Sequence, residues 1–195
     1  MIVRLTACAA LLLASASAAA HSGTGLAGGF VPGLKHPISG PDHLLAMVAV
    51  GLWGAFLGPP LIQALPIVFP MMMVGGAVLA MAGAPIPPTE LGVALSVLVL
   101  GTCIALRFVA PVWLAAVIVG FFGVFHGYAH GKELPSAADP LGYSLGFVLA
   151  TGLLHVAGIG LGFCSERPGG TVAIRCAGAL ITGCGLWFVH EAIRT

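Results

Sequence analysis

The sequence predicts an all-α, polytopic membrane bundle of six transmembrane helices that follow a cleaved signal peptide. Three observations predict it. Of 195 residues, 59% are hydrophobic and only 7% charged, where a soluble domain carries roughly 25% charged residues. The mean hydropathy is +1.10. Apolar runs are separated by short Pro/Gly-rich loops, and at roughly 20 residues per span the length leaves room for about six or seven spans and no soluble domain. The 29 glycines and 14 prolines suit closely packed and broken membrane helices. This composition argues against a cytosolic enzyme and a disordered chain. A net charge of +1 offers no basic face for nucleic acid.

The first 20 residues read as a signal peptide: Arg4 is a short basic region, Leu5 to Ala14 an apolar stretch, and Ala18-Ala19-Ala20 a small-residue cleavage pattern. Cleavage after Ala20 makes His21 the first mature residue, and residues 21–195 form a single six-helix domain. An uncleaved first helix is the alternative. Leu5-Thr6-Ala7-Cys8 has the composition of a lipoprotein box, but no apolar stretch precedes it.

Six apolar segments follow, at about 38–57, 61–83, 89–107, 110–130, 140–163 and 172–190. A Gly/Pro-broken apolar stretch from Leu26 precedes the first. Pro66 and Pro70 are expected to kink the second. Gly75-Gly76, Gly152, Gly158, Gly160 and Gly162 permit close helix contacts. Cys103, Cys164, Cys176 and Cys184 form no metal or disulfide pattern and read as small buried hydrophobes. Trp53, Trp113 and Trp187 read as interface or packing aromatics. No nucleotide-binding loop is present in the sequence.

A cleaved signal places the mature N-terminus outside the cytoplasm, and six spans return the C-terminus to that side. The basic residues then divide evenly: Arg107, Arg167 and Arg175 inside, Lys35, Lys132 and Arg194 outside. The acids do not. Asp42, Glu90, Glu133, Asp139 and Glu191 fall outside and only Glu166 inside. His21, His36, His43, His126, His130 and His190 share the outer half, while His155 lies roughly 22 Å along the fifth span.

Ionisable residues inside a membrane cost several kcal/mol and mark a pathway or site. Imidazole with carboxylate suits divalent transition metals such as Ni, Co, Zn or Cu. The first segment opens His36-Pro37-Ile38-Ser39-Gly40-Pro41-Asp42-His43. On a continuous helix the two histidines would share a face, about 20° apart. Pro41 fits better as the first residue of a new helix after Gly40. A helix from Pro41 to Leu57 spans only about 25 Å, less than a core of about 30 Å, so a broken segment lining a cavity is expected. Asp42 would offset the positive helix N-terminus and supply a hard ligand. A capping Asp with interfacial histidines is the plainer alternative. In the fourth segment, His126-Gly127-Tyr128-Ala129-His130 places two imidazoles on one face. His155 serves either as an inner relay ligand or as a helix-packing donor. Glu90 either caps the third segment or adds a weaker ligand. Gly29-Phe30 and Gly120-Phe121 precede the two histidine-bearing segments, which suggests an inverted repeat.

The signal peptide, six spans and the stretch HPISGPDHLLAMVAVGLWGA resemble the HupE/UreJ family of membrane proteins over essentially the whole chain. The first-segment motif, of the form HPxxGxDHxxxMxxxG, is matched by His36, Pro37, Gly40, Asp42, His43, Met47 and Gly51. His126-Gly127 with His130 and Glu133, and His155, are similar too. The family is associated with hydrogenase and urease accessory genes. The resemblance implies secondary uptake of nickel, in some members cobalt, across the bacterial inner membrane. The motif is also similar, as an analogy, to the His/Asp/His signature of other nickel–cobalt permeases.

These readings combine into one expectation: a multi-pass inner-membrane permease, not an enzyme, carrying Ni2+ or Co2+ from periplasm to cytoplasm. His36, Asp42 and His43 would form the main site, His126 and His130 complete it, and His155 pass the ion inward. His21, Glu90 and Glu133 are weaker candidates. The partners are the metal ion and the lipid bilayer, with no nucleotide, no nucleic acid and no resident cofactor. Two rivals are a haem-binding electron-transfer bundle and a zinc-dependent intramembrane hydrolase.

Overall fold

The computed structural model describes residues 29–133, 139–166 and 168–194. The expected signal peptide and His21 lie outside them. Among the described residues every regular element is helical. The order is α1 (Phe30–Ser39), α2 (Pro41–Leu57), α3 (Leu61–Met81), α4 (Thr89–Ala105), α5 (Val112–Glu133), α6 (Pro140–Gly162), a 3₁₀ turn (Phe163–Glu166) and α7 (Gly170–Arg194).

The break before the Asp-His pair falls where Pro41 placed it. Gly40 is extended at φ −89°, ψ 109°, as a residue before proline prefers, and Pro41 opens α2. The axes of α1 and α2 diverge by 83°. The stretch before the break, expected to be irregular, is a regular helix from Phe30 despite Pro37. Asp139 caps α6, its Oδ1 accepting the Gly142 N–H at 2.9 Å.

Four helices, α3, α5, α6 and α7, are long and apolar enough to cross a membrane, and the bent pair of α1 and α2 has the length and composition of either a fifth, broken span or a re-entrant loop. This is a multi-pass membrane protein. The segment expected at 89–107 is the shorter α4, of 17 residues, about 25 Å long. It ends early because Arg107, at φ 53°, turns the chain out of the helix. Large apolar side chains such as Met71, Val74, Leu145 and Val148 are exposed, as lipid-facing positions must be. Cys103, Cys164 and Cys184 are only half-buried and Cys176 is exposed, which corrects the reading of all four as buried. Hydrophobic residues in a membrane need no protein cover. Trp53 is fully buried and donates from Nε1 to the Phe108 carbonyl at 3.2 Å, whereas Trp113 and Trp187 face outward.

The helices pack chiefly as α2 on α6, α1 on α6, α3 on α5 and α4 on α7. Glycines allow the first three contacts by reciprocal backbone approach. A Cβ at Gly51 would fall on the His155 carbonyl, and one at Gly158 on the Val48 carbonyl. Gly76 and Gly127 meet the carbonyls of Val124 and Met73 in the same way, as Gly33 and Gly146 meet those of Tyr143 and Phe30. Exchanging the first three segments (α1–α2, α3, α4) with the last three (α5, α6, α7) carries the α2–α6 pair onto α5–α3 and α4–α7 onto itself. That is the pairing an inverted repeat requires. Its register matches Gly51 with Gly127, so Gly29-Phe30 and Gly120-Phe121 are not equivalent positions.

Candidate metal centre

At the end of the bundle where α2 begins and α5 ends, three helices bring four imidazoles together. A straight helix would hold residues 36 and 43 about 10 Å apart along its axis. The bend at Gly40 instead brings the His36 and His43 ring centroids to 6.3 Å, edge to face. His130 lies 4.8 Å from His36 and 4.7 Å from His43, and His126 lies 4.8 Å from His43. His126 and His130 are buried. Tyr143 and Phe147 of α6 close one side, with Phe147 at 4.3 Å from His130 and 6.2 Å from His36.

Two hydrogen bonds assign the tautomers of His43 and His126. Asp42 Oδ1 lies 2.9 Å from His43 Nδ1 and also accepts the His43 backbone N–H at 2.8 Å. An ionised carboxylate only accepts, so Nδ1 donates and the lone pair sits on Nε2. Ser96 Oγ donates its single proton to the Val93 carbonyl at 2.6 Å. The 3.0 Å contact between Ser96 Oγ and His126 Nε2 therefore has the imidazole as donor, leaving the lone pair on His126 Nδ1. Both lone-pair nitrogens, His43 Nε2 and His126 Nδ1, are buried without a hydrogen-bond partner. Such orphaned atoms mark a place where an ion or water belongs.

The rings pack edge to face rather than around a common point. Among the described residues, no three His, Cys, Asp or Glu side chains are arranged to hold an ion as they stand. The structure thus gathers His36, Asp42, His43, His126 and His130. Glu90 is exposed in the first turn of α4. Glu133 closes α5, but its side chain lies outside those described. His155 is buried deeper on α6. The Phe69 ring stands between, 5.2 Å from His126 and 5.6 Å from His155.

Sequence reasoning missed Ser96, Phe69 and the aromatic wall. A lone serine within Gly92-Val93-Ala94-Leu95-Ser96-Val97-Leu98 was the only local signal for the first. Nothing in the sequence showed that it faces a histidine thirty residues away.

The sequence profile of the family described as HupE / UreJ protein matches residues 9–188. Protein HupE of Rhizobium leguminosarum bv. viciae is 43% identical over 181 residues, covering 92% of this chain and 93% of that one. No solved structure matches. With His36, Asp42, His43, His126 and His130 of three helices gathered in one cluster, and a match over nearly its whole length, the chain belongs to the HupE/UreJ family of membrane proteins.

Proposed function

We propose that the protein is a secondary permease that brings a divalent transition-metal ion, nickel or cobalt, across the bacterial inner membrane from the periplasm, for the maturation of metalloenzymes such as hydrogenase or urease. The observation that carries this reading is the cluster itself: four imidazoles and a carboxylate from three helices at one end of an otherwise apolar bundle. A charged or metal-binding group at such a place is costly and marks an ion path. In this reading the signal peptide is removed, residues 21–195 cross the bilayer six times, and both mature termini are periplasmic. The cluster then faces the periplasm. The ion is cargo, and the protein needs no resident cofactor and performs no covalent chemistry.

Asp42 and Ser96 hold His43 and His126 in the tautomers that aim a lone pair into the cluster, the arrangement metal-binding histidines use. A turn of these two rings, whose centroids are 4.8 Å apart, directs both lone pairs at one ion. His36 and His130 complete the set. The haem alternative fits poorly, because rings in edge contact leave no slot between them for a planar macrocycle.

Uptake of radiolabelled nickel and cobalt into proteoliposomes, with zinc as competitor, tests the reading and separates transport from both rivals. Saturable uptake that disappears in His43→Ala is expected. Vesicles that stay impermeable to both metals would overturn it.

A further inference from the structure

Helix α6 carries Tyr143, Phe147, Thr151 and His155 at four-residue intervals, hence on one face. The first two wall the outer cluster. The last two lie deeper and are buried almost completely, each 1% exposed. Thr151 Oγ1 and both His155 ring nitrogens make no hydrogen bond among the described residues. Three unpartnered polar atoms within one helical turn are exceptional in a packed interior and call for a ligand. Across from them on α3, Pro70 has no N–H, so the Pro66 carbonyl lacks its helical donor. Phe69 of that same turn stands 5.6 Å from the His155 ring, which sets the turn against it. His155 sits level with Gly51, eight residues beyond His43 and therefore about 12 Å deeper. A crevice of about 90 Å³ among α3, α5 and α6 has both His130 and Thr151 on its wall.

We propose that His155, Thr151 and the Pro66 carbonyl form a second, inner station for the same divalent cation, reached from the outer cluster past Phe69. The proposal rests on the transport reading above. An imidazole, a hydroxyl and a carbonyl carry no net charge, whereas the outer cluster includes Asp42. The inner station binds more weakly, as a site must if the ion is to leave it. The proline pair in α3 supplies a carbonyl that an unbroken helix would keep for itself.

The test introduces a sulfur ligand at the inner station. In a chain whose five cysteines are replaced by alanine, His155→Cys is added and Co2+ is titrated into the detergent-purified protein. A thiolate–cobalt charge-transfer absorption is expected with His155→Cys. It should be absent from the cysteine-free parent and from a lipid-facing control, Val156→Cys. Adding Pro70→Ala, which returns an N–H to α3, should weaken the cobalt affinity of that band at least several-fold. If His155→Cys does not fold, stoichiometry carries the same test: two cobalt ions per chain in the parent, one in Thr151→Val or His155→Gln. Cobalt binding that is lost in His43→Ala, with no absorption from His155→Cys and one ion per chain throughout, would overturn the inner station and leave the outer site standing. A parent that binds no cobalt and no nickel would overturn the transport reading itself.

Discussion

Ser96→Ala removes one oxygen and isolates the orienting role from the ligands themselves. Ser96 and His126 are both fully buried, so no bulk water replaces the lost hydroxyl. The His126 ring, held by a 3.0 Å bond to Ser96, then has nothing to fix its tautomer, and the proton is free to move to the nitrogen that faces the cluster. Loss of such an outer-shell partner typically lowers metal affinity roughly 10–100-fold, or about 1.4–2.8 kcal/mol. The Val93 carbonyl loses only a supplementary bond, so the helix itself should stand. Equilibrium dialysis of nickel against purified Ser96→Ala, His126→Ala and the double variant measures the effect. The reasoning expects Ser96→Ala to cost nothing further in the His126→Ala background, because the serine acts only through that ring. Affinity within twofold of the parent for Ser96→Ala, or a full additional loss in the double variant, would refute it.

Asp42→Ala and His43→Ala should each abolish uptake while leaving the protein in the membrane, which uptake assays and immunoblots of membrane fractions check together. Nickel binding should weaken as pH falls from about 7.5 to about 5.5, because imidazole ligates only when neutral and titrates, unperturbed, near roughly 6.5. Equilibrium dialysis across that range checks it, and a flat profile would refute proton competition at the cluster. Gly158→Val should push α6 from α2 at the Val48 carbonyl and lower the unfolding temperature in detergent, measured by thermal aggregation. A reporter active only in the cytoplasm, fused after Thr195, should be silent, and strong activity would overturn the six-span topology.

The local rules were sufficient for most of the elements, α1 excepted. Apolar runs and Pro/Gly breaks located the helical segments, because length and hydropathy are properties of contiguous residues. Gly40-Pro41 marked the break between α1 and α2 since a proline restricts the residue before it. The histidines and Asp42 could be named as candidates because charge in an apolar segment is visible without knowing the fold. Their arrangement was not legible. The 83° bend that brings His36 to His43, and the meeting of α1, α2 and α5 around them, depend on how distant segments dock. The docking is set by single glycines whose missing Cβ matters only against a particular carbonyl. Glu90 looked like the histidines from composition, yet tertiary packing leaves it exposed while His126 and His130 are buried. Ser96 looked like nothing at all and holds His126. A side chain's type is written in the sequence, but its partner is decided by the backbone that another helix presents, and in this bundle close glycine contacts make that choice.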